Sequence, residues 1–479
     1  MVRALKEHWI ASVCVLFVLI NAALIVREIY WFSALPAVLL VIWAMFTSLN
    51  KLVLFIAFAT PLSINLEQMD LGGLGIALPT EPLLVGLMLL MLLKISVERN
   101  VISGKVLRHP ITWVIMLQLA WMFICILPSS MPLVSFKYFT ARLWFVVTMF
   151  FLATRVFEDE RNMQRFIWAY ISGLCIVIIY TLIKHSQFSF AHEPAHWVME
   201  PFFKDHTSYG AIIAFFLPFA ITAMWLPGRS AVWKGLAFFL LMLLTAGLIF
   251  SYTRAAWVSL VGAIGVFVFM KLRIPLWSVA VLLIIGGGIY FANQEQITLA
   301  MASNTEESSD DLGQHVQSIS NISSDASNLE RINRWNSAFR MFQEKPLFGW
   351  GPGTYMFQYA PFQASEDRTI ISTNFGVQGN AHSEYLGPLS EQGVLGFLLM
   401  VALVLVTLIT AVHLHYRMPP GTDRAILMAL ILGLVTYYLH GGLNNFLDTD
   451  KASVPFWAFT AMIVLLDLKY PKVARTKLI

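Results

Sequence analysis

Residues 383–412 read SEYLGPLSEQGVLGFLLMVALVLVTLITAV, with Glu384 and Glu391 as the only charged side chains in the run. About 20 apolar residues suffice to cross a bilayer, so this run predicts a transmembrane helix with length to spare. Its surplus, with His382 just before it and Pro388 inside it, is expected at or above the headgroups. Nine residues of helix rotate by about 180°, so Glu391 should face away from His382 unless Pro388 bends the helix. A carboxylate in apolar surroundings needs a partner, and a part in bundle structure is expected for Glu391.

The rest of the chain has the same character. Of its 479 residues 58% are hydrophobic and 13% charged, against about 25% charged in a soluble domain; the mean hydropathy is +0.70. Apolar runs predict spans at 9–26, 31–48, 51–64, 79–95, 111–127, 133–154, 164–184, 206–226, 233–251, 254–271, 275–293, 383–412, 424–441 and 453–470. The third is short and ends at Pro61, as a re-entrant or broken segment would. The fold expected is all-α, a polytopic membrane bundle of about 12–14 spans. It divides into an N-terminal transmembrane bundle (1–293), a large loop with short helices (294–382) and C-terminal transmembrane helices (383–479). Cys14, Cys125 and Cys175 fall inside apolar runs, where packing is the expected role, and neither a disulfide framework nor a zinc site is predicted. Arg3 and Lys6 precede the first run, which reads as an uncleaved first span.

Placing the N-terminus in the cytoplasm and alternating puts most of the 32 Lys and Arg residues on the inner side. That orientation places both termini inside and the 294–382 loop outside the membrane. The net charge of +4 is small, and no nucleic-acid partner is expected.

The loop has two halves. Residues 302–328 are rich in Ser, Asn, Asp and Glu, a composition that cannot bury a core. Beyond them, Ser327 and Glu330 fit a capping box. Leu329, Ile332, Trp335, Phe339 and Phe342 then form one apolar helical stripe. Arg331 and Arg334 lie off it, which predicts a short helix on the membrane surface or on the bundle, presenting arginines. Pro346-Leu347-Phe348-Gly349-Trp350-Gly351-Pro352-Gly353 should stop that helix.

Several polar groups are candidates for chemistry. Arg254 stands at the outer end of a span with Gly265 on the same face, where another helix or a lipid tail has room to approach. An arginine snorkelling to headgroups accounts for it equally well. A lone histidine is more often structural than catalytic. His382, beside a glycine-rich loop and opposite arginines, is a candidate proton acceptor. In the outer loop before the eighth span, Lys204 and His206 are candidates for contact with a polar substrate, while Asp205 reads as a helix N-cap. Lys137 and Arg142 are basic residues within or just beneath the outer leaflet, where charges are functional candidates; snorkelling accounts for Lys137 more easily. Asp448-Thr449-Asp450 is a DxD, read as a polar cluster orienting substrate or loop, with a metal as the lesser option. Tyr385, next to His382, is a further candidate contact.

These residues resemble the O-antigen ligase and polymerase superfamily of bacterial membrane oligosaccharide transferases. The resemblance rests on Thr253-Arg254 with Gly265 eleven residues on, and on Arg331-x3-Trp335 followed by Pro346-x2-Gly349-x-Gly351-x-Gly353. It continues in His382-Ser383 with Leu386, Glu391, Gly393 and Gly396, and in the many-span layout with a late outer loop. Ser383 stands where the family often has Asn. The resemblance implies a GT-C-like glycosyltransferase of the bacterial inner membrane. It would move a glycan from an undecaprenyl-pyrophosphate carrier to a hydroxyl on lipid A–core, on another glycan or on a protein. It implies His382 as general base and Arg254 and Arg331, with Arg334, as clamps on the pyrophosphate, without a metal or other cofactor. Inversion at the anomeric carbon follows from attack opposite the leaving group. Arg142, Lys137, Lys204, His206, Tyr385 and Asp448 stand as substrate-binding candidates, and membrane lipids as surroundings. Ligase is placed slightly ahead of polymerase or protein-directed transferase. The rival of another class, a lipid-linked glycan transporter or flippase, would be expected to show internal repeats and midplane charges, neither of which is evident. A non-enzymatic scaffold is the third reading.

Overall fold

Asp205, Asp159, Ser230 and His109 each stand just before an apolar run, and each starts a helix by accepting a backbone N–H of its first turn. Asp205 accepts from Ser208 at 2.7 Å, Asp159 from Arg161 at 3.2 Å, Ser230 from Trp233 at 3.2 Å and His109 from Ile111 at 3.3 Å. The computed structural model describes residues 2–28, 30–36, 47–66, 75–226, 228–274, 326–368 and 379–471, with residues 39, 43, 278 and 372 besides. The expected span at 275–293 and residues 302–325 lie outside the described residues, as does much of 31–48.

The described elements are α1 (Val2–Val26), α2 (Leu49–Ala59), β1 (Ile64–Asn65), β2 (Ala77–Leu78), α3 (Thr80–Val97), α4 (Pro110–Ile124), α5 (Pro132–Val156, with a π segment over Val147–Leu152), α6 (Glu160–Ser186), α7 (His206–Trp225), α8 (Ala231–Ile249), α9 (Arg254–Lys271), α10 (Ala326–Glu344), α11 (Leu386–Arg417), α12 (Thr422–His440) and α13 (Asp450–Lys469). Among the described residues nine helices are long and apolar enough to cross a membrane, and α1, α2 and α4 add shorter apolar stretches. The chain is a multi-pass, mostly helical membrane bundle. It is not wholly α: β1 and β2 pair antiparallel, Ile64 opposite Leu78.

Residues Met1–Phe55 and Ile56–Ile479 form two compact units. In the first, α1 leaves Val13, Val15, Leu16, Val18 and Leu19 exposed, and Cys14 is exposed too, not packed in a core. In the second, α13 and α7 are buried along most of their length, while α8 and α9 are buried along less than a third. Helix α7 packs on α8, α9 and α12; α13 packs on the π segment of α5.

The short third span is broken. Helix α2 has 11 residues, about 16 Å of rise and half a bilayer core. The chain then turns at Thr60–Leu62. Lys451, expected in an outer loop, lies buried in the first turn of α13 and donates to the carbonyls of Thr60 at 2.6 Å and Ser63 at 2.7 Å. A cation on freed carbonyls at a helix end satisfies both.

The run 383–412 is not one straight helix. Gly393 has φ 70° and ψ −167° inside α11, so the break falls there and not at Pro388. The freed backbone is taken up by the 346–353 knot. Val394 N–H donates to the Pro346 carbonyl at 2.9 Å, Trp350 N–H to Ser390 at 3.0 Å and Gly351 N–H to Glu391 at 2.8 Å. The Glu391 carboxylate accepts N–H groups of Gly353 and Tyr355, both at 2.9 Å. Two glycines allow the approach. A Cβ on Gly349 would lie 2.3 Å from the Glu391 carbonyl carbon, and one on Gly393 would lie 2.1 Å from the Leu347 oxygen. Both have positive φ, where an L side chain is strained.

Gly349→Ala therefore combines left-handed strain with overpacking against backbone and is expected to cost about 2 kcal/mol or more. Gly387, in α11 with open space around it, is the control, and Gly387→Ala should stay within about 1 kcal/mol of the parent. Thermal unfolding of the two purified proteins in detergent checks this; equal melting temperatures would contradict the clasp.

Candidate active site

Helix α10 was expected to bury its apolar stripe. The buried face is instead Glu330, Asn333, Arg334, Ser337, Ala338 and Met341, while Phe339 stays half exposed. The reason lies in the loop that α10 carries. Tyr355 and Tyr359 stack at 5.3 Å and pack with Ala338, Met341 and Ala381. Around that small core Arg334 is held in three ways: its Nε meets Glu330 at 2.6 Å, its guanidinium lies 4.0 Å over Tyr359, and its carbonyl accepts the Tyr355 hydroxyl at 2.8 Å. Glu330 also accepts from Asn333 at 3.2 Å and from Ser372. Helix α10 already includes Ala326 and Ser327, so Ser327 is not the residue that starts it. Burial raises the Glu330 carboxyl, but the bonds from Ser372, Arg334 and Asn333 outweigh it and leave it below its ordinary value.

The loop delivers His382 to the end of the bundle where α7, α9, α11 and α13 begin and α12 ends. Its φ is 47°, a left-handed conformation held from both sides. Its N–H donates to Asn380 Oδ1 at 3.1 Å, and its carbonyl accepts the Trp335 indole at 3.4 Å. Burial first, then the charges of Arg331 and Arg334, push its imidazole down to about 4; bonding to the Asn444 side chain pulls the other way. Arg331 also acts electrostatically on His206 and His440. His206 packs edge-on against His196 at 4.2 Å. Its carbonyl accepts the Thr253 hydroxyl at 2.7 Å, and the Ala255 backbone lies against His440. The Arg254 end of α9 is thereby set beside the histidines that Arg331 reaches.

On the other side of the 380–384 segment lies a cavity of about 120 Å³, lined by Tyr138, Arg142, Asn380, Ser383, Asn445 and Asp448 among others. Arg142 bonds the Tyr138 hydroxyl at 3.1 Å. Glu384 closes one wall: one carboxylate oxygen accepts the Tyr437 hydroxyl at 2.7 Å and the N–H groups of Phe446 and Leu447 at 2.7 and 2.8 Å. Burial still holds its carboxyl above the ordinary range, against the pull of Arg142.

The site candidates thus fall into three groups. His382, Arg331, His206 and the Arg254 end of α9 converge; Arg142 and Asp448 share the cavity, with exposed Lys204 within electrostatic reach of Asp448. Three others depart from expectation. Arg334 is buried in the loop and not presented. Tyr385 gives its hydroxyl to the Tyr438 carbonyl at 2.9 Å, and Lys137 is exposed and absent from the cavity wall. Asp448 and Asp450 do not act as a pair, since Asp450 is buried against the hydroxyls of Ser63 and Thr80. Among the described residues no cluster of three or more His, Cys, Asp or Glu is arranged to hold a metal. Gly265 faces open space, and it is Gly262 that the Leu439 side chain reaches, 2.2 Å from where a Cβ would stand. Glu384, His440 and Asn444 were not singled out from sequence. The only signal was the i, i+4 spacing of His440 and Asn444 at a helix end followed by two glycines.

Arg334→Ala would leave the Glu330 carboxylate buried without its ion partner, at an expected cost of about 3–5 kcal/mol. Because the Glu330 carboxyl is held low, its contribution is present above the ordinary carboxylate range and fades as pH falls through its depressed value. Denaturant unfolding of parent and variant at neutral and acid pH measures both; a loss under about 1 kcal/mol would show that the ion pair does not support the loop.

No curated protein matches the chain in a sequence search. A family model described as O-antigen ligase matches residues 239–401, a region that contains Arg254, Arg331, His382 and the α11 break. Over this third of its length the chain is similar to the O-antigen ligases, and together with the multi-pass bundle that match supports a membrane enzyme of glycan transfer.

Proposed function

We propose that the protein is an inverting, GT-C-like glycosyltransferase of the bacterial inner membrane. It transfers a glycan from an undecaprenyl-pyrophosphate carrier to an acceptor hydroxyl on the extracytoplasmic side, with lipid A–core as the acceptor. The observation that carries this reading is the convergence of Arg331, His382 and the Arg254 end of α9 on one half-buried cluster, within the region that matches the ligase family.

In this reading the acceptor oxygen bonds to the anomeric carbon as the bond from that carbon to the phosphate oxygen breaks. The electron pair leaves on the lipid pyrophosphate, and Arg254 and Arg331 stabilise the growing negative charge. The acceptor proton passes to His382. A general base must start unprotonated, and an imidazole held near 4 is neutral at ordinary pH. A bound pyrophosphate would offset the arginine charges and raise the basicity of His382 when the proton arrives. The cavity with Arg142, Asn445 and Asp448 offers donors and acceptors for sugar hydroxyls, and Lys204 adds positive charge within electrostatic reach of Asp448.

His382→Ala is expected to lower transfer by about 100-fold or more, with Arg254→Ala and Arg331→Ala close behind, while all three proteins still insert in the membrane. The acid limb of kcat/KM for the parent should lie near pH 4, well below the ordinary histidine value, because the free enzyme carries the depressed group. Transfer from a purified undecaprenyl-pyrophosphate glycan to lipid A–core, resolved by mass, measures both. Full activity in His382→Ala would end the general-base assignment. A deletion strain identifies the acceptor: a ligase leaves long lipid-linked glycan unattached, a polymerase leaves a single repeat on the core, and a normal ladder contradicts both.

A further inference from the structure

The knot that clasps α11 carries an apolar tip on its outer side. Leu347 is 64% exposed and Phe348 is 40% exposed. Phe348 stacks on Trp121 of α4 at 5.4 Å, and the Trp121 indole donates to the Gln392 carbonyl at 2.9 Å. The Trp350 carbonyl accepts the backbone N–H and the hydroxyl of Ser130, at 2.9 and 2.8 Å, in the α4–α5 turn. That turn is flanked by Leu127 and Leu133, both exposed. Val394, bonded to Pro346, and Leu398 one turn further carry the exposed apolar surface down α11.

The depth of the tip follows from α4. The start of α4 is tied to a polar layer at the far end of the bundle, where α11 and α13 finish. His109 Nε2 meets Asp467 at 3.2 Å, and Arg417 pairs with the same carboxylate. Lys469 pairs with Glu160 at 2.6 Å and with Asp423 at 2.8 Å. Trp121 stands twelve residues after His109, a rise of about 20 Å at most. The hydrocarbon core is about 30 Å thick. From that layer, neither the indole nor the Phe348 ring stacked on it clears the core. A helix length is an upper bound on depth, so the short α4 sets the limit and the longer α11 must lean. Glu344 and Lys345 come just before the tip, and the Lys345 ammonium lies 3.8 Å over the Trp350 ring. A snorkelling lysine beside an indole suits the headgroup level, and the chain passes from there to apolar residues within two positions. Irregular backbone is tolerated at such depth only where protein satisfies it. Here the carbonyls of Lys345, Pro346 and Trp350 accept from Gly349, Val394 and Ser130.

We infer that the Leu347–Phe348 tip inserts among the acyl chains of the leaflet on the site's side. The loop that carries His382 is then anchored in the membrane, not held above it as its place in the sequence suggests. Lipid tail is the occupant because the tip continues a surface that α11 already turns to lipid, and because it offers water no polar side chain.

Leu347→Cys tests this in the full-length chain with Cys14, Cys125 and Cys175 replaced by Ala. The protein is nitroxide-labelled and reconstituted in vesicles of phosphatidylethanolamine and phosphatidylglycerol. Oxygen dissolves in lipid tails and a polar nickel chelate does not, so their collision rates with the label report depth. The oxygen-to-nickel ratio at Leu347→Cys should match that at Leu398→Cys, on the lipid-facing side of α11. It should exceed that at Ser365→Cys, in an exposed polar part of the loop, by about tenfold or more. A ratio like that of Ser365→Cys puts the tip in water and overturns the inference. A label shielded from both agents overturns it too, since protein, in this chain or a second copy, then covers the tip. If the cysteine-free chain fails to fold, the unsubstituted protein is photolabelled in the same vesicles by a lipid with a diazirine at the end of its acyl chain, and adducts are mapped by peptide mass. Adducts on residues 346–348 are expected; adducts on the helices with none there overturn the inference. Neither readout involves transfer, so both are independent of the chemistry at His382.

Discussion

The break in α11 at Gly393 is the constraint on which the rest of the candidate site depends. A helix interrupted in mid-course frees backbone donors and acceptors in a place with little water, and each would be costly alone. Here the Pro346–Gly353 knot supplies the partners, with its carbonyl on Val394 and its amides on Ser390 and Glu391. Glu391 is consumed by the same clasp through Gly353 and Tyr355. The clasp fixes the loop to the bundle, and the loop's small aromatic core then sets Ala381 and His382. A helix without the break would present no groups for the knot to bind.

The charged side chains divide by what they are given to do. Lys451, Arg334 and Glu391 are buried and meet carbonyls, a carboxylate and backbone amides respectively. They hold together the turn after α2, the loop and the clasp. Around His382 the balance differs: arginine charge gathers on several imidazoles, and burial adds to it. Such an environment is poorly matched to the protein alone and well matched to an anion, which is the physical sense of placing a pyrophosphate there.

The 380–384 segment separates two kinds of surroundings. Asn444 meets His440 Nε2 at 3.1 Å while its neighbour Asn445 lines the cavity with Arg142 and Asp448. Glu384 binds the turn that carries both asparagines. His382 and the polar cavity are thus built on one short stretch of backbone, so a displacement of either turn would disturb both.

Composition and period made the helical membrane class readable, because every spanning segment must be apolar on its own account. Caps such as Asp205 were readable for the same local reason, and so were the residues of the ligase-family motifs. The sequence by itself determined that the chain is a multi-pass helical bundle and which arginines and histidine are candidates. The tertiary structure decided how they are used. It turned α10 onto its polar face, since Arg334 and Glu330 satisfy each other against Tyr359 while Phe339 is left outside. It broke α11 at Gly393, where the knot replaces helical bonds. It brought the turn that follows His440 against the His382–Glu384 segment, where Glu384 N–H donates to the Gly441 carbonyl, across more than fifty residues of chain. None of these depends on neighbours in sequence. Each is set by which distant backbone or side chain satisfies a buried polar group, and that pairing exists only once the helices have packed.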